Sequence, residues 1–512
     1  MSKKSQKIFM KKIIYCASVD GNPNHLETIH KLKQLENWEP AIIAFPHPLS
    51  KLAKNKYPKT FVTDDLRVRQ GNFDDLEKND LLPLEKNVLD DLKIFQTRYF
   101  DTLEDTTGWN YSYQERKENF YETFKFWYSV IKKMKPDILI GFNWPHTASD
   151  YSLYLISKYY FKIPTLFITP IPFFGKSLYT IGTSMENSSK IFEKAYESNN
   201  EEISSFVKNY VKNFKTNHNL PAHQVKYYDK LKIRKNYSFL GILKAILTLK
   251  IFKKVNLALK KNKESYKSPK SIINIIEHII LMKKKLSNNK KTKRYYDKIS
   301  ISKIEDRNFI YFPAQYVPEP NSVIMIKTFE NQLLILDLLN KAIPKDWKIY
   351  YKEHPETFLS RKLTAPFRQK DYFEKLKKFE KIKLLRSNFN TYELIKKSKA
   401  TIGLGTAGWE SLLLNKTTIV FDNIWYSFCK SVKKVESVND IKKVINHIDE
   451  LDIDNDDVER CMQAVLSETF YTSIFSNKIE FKNIDNEIIK EDYIKLAACF
   501  IKSYKKNYLE KK

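Results

Sequence analysis

Glycine is scarce in this chain, with ten residues in 512. A place where glycines gather therefore marks backbone that must turn sharply or come close to something. Cysteine is scarcer still: Cys16, Cys429, Cys461 and Cys499 lie far apart and show no metal-ligand pairing. That usage argues against a disulfide framework, suits a reducing cytoplasm, and leads us to expect no metal and no cofactor. No uninterrupted run of about 18 apolar residues occurs, so no transmembrane span is expected. The apolar stretch after the basic start Met1–Lys7 is broken by Lys11 and Lys12, unlike a signal peptide. Acidic residues are also in short supply, 60 against 89 Lys and Arg, for a net charge of +29.

What is present is enough apolar and aromatic material, 42% and 14%, to fill more than one core, and 512 residues make two domains the default. The excess charge is local. Residues 226–298 carry 22 Lys and Arg against four acids. Within them Ile251, Phe252, Val255 and Leu259 share one helical face, Lys250, Lys253, Lys254 and Lys261 lie opposite, and Leu257 intrudes on the basic side. Such a helix can lie on an anionic membrane surface, and it can equally be a solvated helical insertion. Nucleic acid is not an expected partner, because no nucleic-acid module organises the stretch.

The chain opens as β-α-β. Lys12–Ala17 reads as a strand, Asp20-Gly21-Asn22-Pro23 as a turn, Ile29, Leu32 and Leu35 as one helix face, and Pro40–Phe45 as a second strand. Residues 85–135 read as helical and aromatic-rich, followed by a strand over Ile138–Phe142, a helix through Leu153 and Ile156, and a strand over Pro164–Thr169. Beyond the basic segment the pattern restarts with strands at Asn308–Phe312, Trp347–Tyr351, Ile382–Leu385 and Thr418–Phe421. Helices are expected over Glu330–Lys341, residues 371–380 and Thr391–Lys397, and in the tail over residues 485–505.

Two strand ends carry chemistry. In Ile402-Gly403-Leu404-Gly405-Thr406-Ala407-Gly408-Trp409-Glu410, three of the ten glycines fall within six residues. Trp409, Leu412 and Leu413 then take up a helical period. This is strand, tight loop and helix start, with Thr406 at the cap or first turn, and the free N–H groups of such a start suit a phosphate. At Lys352-Glu353-His354-Pro355 a proline stops a strand and leaves an ammonium, a carboxylate and an imidazole at its carboxyl end, the edge at which open α/β sheets bind ligands. A third strand end precedes His146 and Asp150. Each residue also has a plain reading: His354 as a loop histidine, Glu353 as a partner of Lys352, Thr406 as a cap, Glu410 as favouring the helix dipole. The glycines have a reading as backbone geometry alone, and His146 and Asp150 a structural one.

The series Tyr311-Phe312-Pro313, Pro318-Glu319, Gln332, Lys352-Glu353-His354-Pro355, Gly405-Thr406-Ala407-Gly408-Trp409-Glu410 and Phe421-Asp422-Asn423-Ile424-Trp425-Tyr426 resembles the bacterial capsule and surface polysaccharide biosynthesis family. That family is similar to the Kdo transferases of GT-B fold, which use a CMP donor. The resemblance covers roughly residues 308–430, and over the first 300 residues it rests mainly on Asn143-Trp144-Pro145-His146. Related motifs often place serine or asparagine before the glycine turn, where Gly405 and Thr406 stand here.

The resemblance implies an α/β, GT-B-like protein in which two Rossmann-like, doubly wound domains face a cleft. The expected division is an acceptor domain over 1–225, a basic helical insertion over 226–303, a nucleotide-sugar domain over 304–480, and a C-terminal helix, 481–512, packing back on the first domain. It implies a glycosyltransferase moving a sugar from a nucleotide donor, CMP-Kdo among the options, to a lipid-linked or polysaccharide acceptor at the cytoplasmic membrane face. His354 and the Thr406 helix start would hold the phosphate with Lys352, Glu353, Gly405, Ala407 and Gly408. Glu410 would contact the nucleotide, Gln315 and Glu319 would line the cleft, and Asp150 or His146 would be the base. A protonatable His354 and Lys352 could neutralise the leaving phosphate without a metal. The alternatives are a CDP-polyol phosphotransferase, a nucleotide-sugar epimerase, and a noncatalytic glycan assembly or export partner.

Overall fold

A computed structural model describes residues 10–510 apart from 19, 70, 108–111, 172–177, 186–188, 199–201, 218–286, 318–327, 360–367, 369, 452, 473 and 475–485. Most of the basic segment and Glu319 lie outside the described residues. The first half holds strands β1 (Lys11–Cys16), β2 (Trp38–Phe45), β3 (Phe61–Asp64), β4 (Ile138–Gly141), β5 (Thr165–Ile171) and β6 (Leu178–Gly182). The second holds β7 (Phe309–Pro313), β8 (Lys348–Lys352), β9 (Ile382–Leu385), β10 (Ala400–Ile402), β11 (Thr417–Val420) and β12 (Val432–Lys434), followed by the short β13 (Phe470–Tyr471).

These strands form two sheets. The first runs β13-β6-β5-β4-β1-β2-β3, with β3 to β5 parallel and β6 antiparallel to β5; the second runs β12-β11-β10-β7-β8-β9 and is parallel throughout. In each sheet the first strand of the unit, β1 or β7, sits between the second and the fourth, so the order reverses there. That is the doubly wound plan. The central strands read Ile-Ile-Tyr-Cys, Ala-Ile-Ile-Ala-Phe and Ile-Leu-Ile-Gly and are buried along these runs, as strands covered on both faces must be.

Helices cover the faces, and their starts are encoded locally. Ser112 and Glu115 form a reciprocal capping box at Tyr113–Met134, as do Thr147 and Asp150 at Ala148–Leu155, each tying up two otherwise orphaned N–H groups. Asn331 caps Gln332–Ala342 and Asn390 caps Thr391–Lys397. One face of the first sheet is covered by the aromatic helix Tyr113–Met134, with Phe120, Phe124 and Trp127 fully buried.

On the other face, helix His25–Glu36 packs against the C-terminal helix Asn486–Tyr504. There Tyr493 lies parallel to Phe142 with centroids 5.7 Å apart, and Thr28 Oγ1 donates to the Tyr493 carbonyl at 2.8 Å. Two helices from the first half, Lys190–Ser198 and Ser205–Asn217, pack against the second: Phe192, Val207 and Val211 share a core with Trp409, Leu412, Tyr426 and Met462. The strands β3, β6, β12 and β13 were not expected from the sequence. They are short or stand at sheet edges, where the apolar run is too brief to read. Among the described residues no helix is long and apolar enough to cross a membrane.

Candidate functional site

A cavity of about 660 Å³ lies where the carboxyl ends of the two sheets meet. From the second sheet it is lined by Pro313 at the end of β7, Ala314 and Gln315 after it, His354 after β8, and Gly403 to Ala407 after β10; from the first by Trp144 after β4 and Thr169 to Ile171 at the end of β5. Both β7 and β10 flank the reversal of strand order, so their connections leave in opposite directions and open a crevice between them.

The glycine loop is shaped by close approach. A Cβ on Gly408 would lie 2.2 Å from the Tyr426 hydroxyl and 2.6 Å from the Gly403 Cα, so no larger residue fits without moving backbone. Into that space the buried Tyr426 hydroxyl donates to the Gly405 carbonyl at 2.7 Å, and Thr418 Oγ1 donates to the Gly408 carbonyl at 2.8 Å. The loop is thereby held at the start of helix Thr406–Leu413. Gly405 is its N-cap and Thr406 its first helical residue, and no side chain caps it. A Cβ on Gly405 would meet Gln315 Nε2 at 2.3 Å, so the Gln315 carboxamide rests on the glycine face at the mouth of the helix.

His354 lines the cavity beside Tyr316, with ring centroids 5.9 Å apart. Burial pushes its imidazole down to about 4, against the upward pull of Glu353 and with Lys352 adding to the depression. It is therefore neutral near pH 7. Lys352 is not at the cavity. Its ammonium, on a residue 6% exposed, donates to the Phe389 carbonyl at 2.8 Å and to Thr391 Oγ1 at 2.6 Å. Burial lowers it to about 8, with Glu410 acting in the opposite direction. Glu410 is buried and accepts from the Tyr392 hydroxyl at 3.2 Å. Both residues brace helix Thr391–Lys397 against the glycine helix.

Glu353, the first residue after β8, does not pair with Lys352. It is fully buried and bound by Arg368 Nε at 3.0 Å, the Tyr351 hydroxyl at 2.6 Å, Thr357 Oγ1 at 3.0 Å and the His354 N–H at 2.9 Å.

In the first sheet, Asp150 is 4% exposed and closes the capping box: Thr147 N–H and Oγ1 each donate to Oδ1 at 2.7 Å, His146 N–H donates to Oδ2 at 3.0 Å, and Ser18 Oγ donates to Oδ2. Four hydrogen bonds occupy both oxygens, so Asp150 is a structural cap rather than an available base. The half-buried His146 bonds the Trp144 carbonyl through Nδ1. A carbonyl only accepts, so Nδ1 carries the proton and Nε2 is the basic nitrogen. Neither residue is among those lining the cavity. Nearby, Asp65 pairs with Arg69 at 2.6 Å, and burial raises its carboxyl to about 6 despite that pairing, with Asp150 adding to the rise.

The structure thus brings together Gln315, His354, Gly405, Thr406 and Ala407 at one cavity. It places Lys352, Glu353, Gly408 and Glu410 behind it as buried support. Residues missed from the sequence are Arg368, which stands in no motif, and the supporting roles of Gln332 and Tyr426. Gln332 Oε1 accepts from the Gln315 N–H at 3.1 Å while its Nε2 donates to the Gln315 carbonyl at 3.2 Å. A lone glutamine at the start of an apolar helix, buried at 2%, was the available signal for that role. Among the described residues no group of three or more His, Cys, Asp or Glu side chains is placed to hold a metal ion.

Residues 243–430 match the model of a family described as capsule polysaccharide biosynthesis protein. No curated protein matches the chain. Among solved structures it is similar to the KpsC β-Kdo 2,7 transferase of Thermosulfurimonas dismutans, at 12% identity over 76% of this chain and 90% of that one, with a TM-score of 0.30. It is similar to a glycosyltransferase from Rickettsia africae at 13% identity over 96% and 99%, TM-score 0.25. It is also similar to the UDP-GlcNAc 2-epimerase of Methanocaldococcus jannaschii at 14% identity over 89% and 99%, TM-score 0.23. The fold itself is two doubly wound, Rossmann-like sheets whose carboxyl ends border one cavity.

Proposed function

From the match of residues 243–430 to the capsule polysaccharide biosynthesis family, we propose that this protein is a nucleotide-sugar-dependent glycosyltransferase that extends a surface glycan. One observation carries the reading: a cavity at the carboxyl ends of both sheets, into which the glycine-shaped start of a helix, a half-buried imidazole and the Gln315 carboxamide converge. Unpaired N–H groups at such a start carry partial positive charge toward an anion, and that charge is set in place before bond breaking, when the leaving phosphate gains charge. A neutral His354 contributes as a hydrogen-bond partner to the phosphate, and an arriving phosphate raises the imidazole's affinity for a proton. His146 Nε2 is the candidate base for the acceptor hydroxyl, on the same loop as the cavity-lining Trp144. The family resemblance favours a CMP-linked donor and an acceptor that is lipid-linked or a growing polysaccharide.

Calorimetric titration of CMP, CDP, UDP and GDP into wild type and His354→Ala tests the reading. Selective cytidine-nucleotide binding, weakened at least tenfold in the variant, is expected. Binding of no nucleotide would transfer the protein to the noncatalytic assembly partners. Turnover of a nucleotide sugar with no acceptor present would make it an epimerase, and release of CMP from a CDP-polyol a phosphotransferase.

A further inference from the structure

Three chain segments that no motif connects, at 315, 353–354 and 368, meet in one buried contact. Arg368 is 6% exposed and uses its fork in two directions. Nε donates to Glu353 Oε2 at 3.0 Å and a terminal nitrogen to the Gln315 carbonyl at 3.3 Å, while the guanidinium face lies 4.2 Å from the Tyr372 ring centroid. Glu353 passes the constraint on, since its Oε1 accepts the His354 N–H at 2.9 Å. Gln315 passes it the other way, through the carboxamide that rests on Gly405.

We propose that Arg368 is the positioning residue of the cavity, holding the wall that carries His354 and the wall that carries Gln315 in register across the β7 and β8 ends. This rests on the nucleotide-binding reading above for its ligand, though not for its geometry. Lysine could pair with Glu353 from this position. It has no rigid fork with which to reach the Gln315 carbonyl as well. If the pair served stability alone, its replacement by neutral groups of similar volume would be close to neutral, because desolvation offsets much of a buried ion pair's attraction, and the cavity would not change. A positioning role gives a different outcome at the same stability: His354 and Gln315 lose their common anchor.

The variants are Arg368→Lys and the double variant Arg368→Met/Glu353→Gln, which leaves neither charge buried alone. Three quantities are read: the thermal midpoint, the NMR titration of the His354 imidazole without ligand, and CMP affinity by calorimetry. In the double variant the midpoint is expected to stay near wild type and CMP to bind about tenfold more weakly, the scale of one or two lost ordering contacts; loss of the Glu353 carboxylate by itself lowers the His354 imidazole further, so a titration that moves up toward its ordinary value instead reports the loosened wall. Arg368→Lys should fall between. A His354 titration that is unchanged or lowered, together with unchanged CMP affinity in the folded double variant, would overturn the proposal. Should the double variant not fold, Arg368→Lys decides on the same two readings. If wild type binds none of the four nucleotides, the nucleotide reading fails, and the imidazole titration by itself still decides the role of Arg368.

Discussion

Tyr426 and Gly408 interlock: the tyrosine hydroxyl occupies the space that a side chain at 408 would need, and donates to the Gly405 carbonyl at 2.7 Å. Tyr426→Phe leaves that carbonyl short of a buried donor, which should cost about 1–3 kcal/mol, read as a lowered urea midpoint. Gly408→Ala should cost about 1–3 kcal/mol by overpacking. In the Tyr426→Phe background the alanine meets no hydroxyl, and the Gly403 Cα at 2.6 Å and Thr418 Cγ2 at 3.1 Å remain in its way. Its cost should therefore fall, with a coupling of about 0.5 kcal/mol or more. Additive losses would mean that the two positions do not share this space. The His354 imidazole makes a separate prediction. Its value in the fold is about 4 against an ordinary 6.5, so between these pH values the unfolded chain binds the proton and the fold does not. The stability contribution is complete above about pH 6.5 and is lost as pH falls through about 4. Wild type should consequently lose stability more steeply than His354→Gln across that window; parallel curves would contradict the depressed value.

Among the elements, helix Asn486–Tyr504 stands out because it closes the first sheet from the far end of the chain. Its own Leu496, Ala497 and Phe500 are no more than 1% exposed, and its Tyr493 stacks on Phe142 beyond the end of β4. Phe500→Ala should destabilise the protein by about 3–5 kcal/mol, visible in the urea midpoint. A loss below about 1 kcal/mol would mean that the helix is an accessory to the sheet rather than part of its core. The helix is legible from its apolar spacing, as are the central strands and the start of Thr406–Leu413. The short strands β3 and β13, of four and two residues, are not, because their hydrogen bonding is supplied by a neighbour rather than by their own pattern.

At the scale of the whole molecule the cleft depends on two sheets presenting their carboxyl ends to one another, with helices 190–198 and 205–217 packed onto the second half. The basic segment belongs to this scale as well, since it joins the halves in sequence. We propose that it holds the protein at an anionic membrane, each lysine near the surface contributing about 1 kcal/mol. Reversing the charge at Lys250, Lys253 and Lys254 should then release the protein from vesicles rich in anionic lipid, and raised salt should weaken wild-type sedimentation. Sedimentation indifferent to both would place attachment elsewhere or nowhere.

By itself the sequence determined what short-range physics controls: apolar period, proline stops, helix caps and a glycine cluster in a chain that has few. These suffice for two α/β units and for the two strand ends that meet at the cavity. Tertiary structure alone decided the charges. Lys352 and Glu353 are neighbours in sequence, yet one braces Thr391 and the other binds Arg368. Asp150 has the composition of a base and the surroundings of a cap. Burial, which depends on everything that packs around a group, leaves His354 neutral and lowers Lys352. Residue types and spacing carry no record of that enclosure, because the atoms that surround these side chains come from other segments of the chain, Phe389 and Thr391 at Lys352 and Tyr316 at His354.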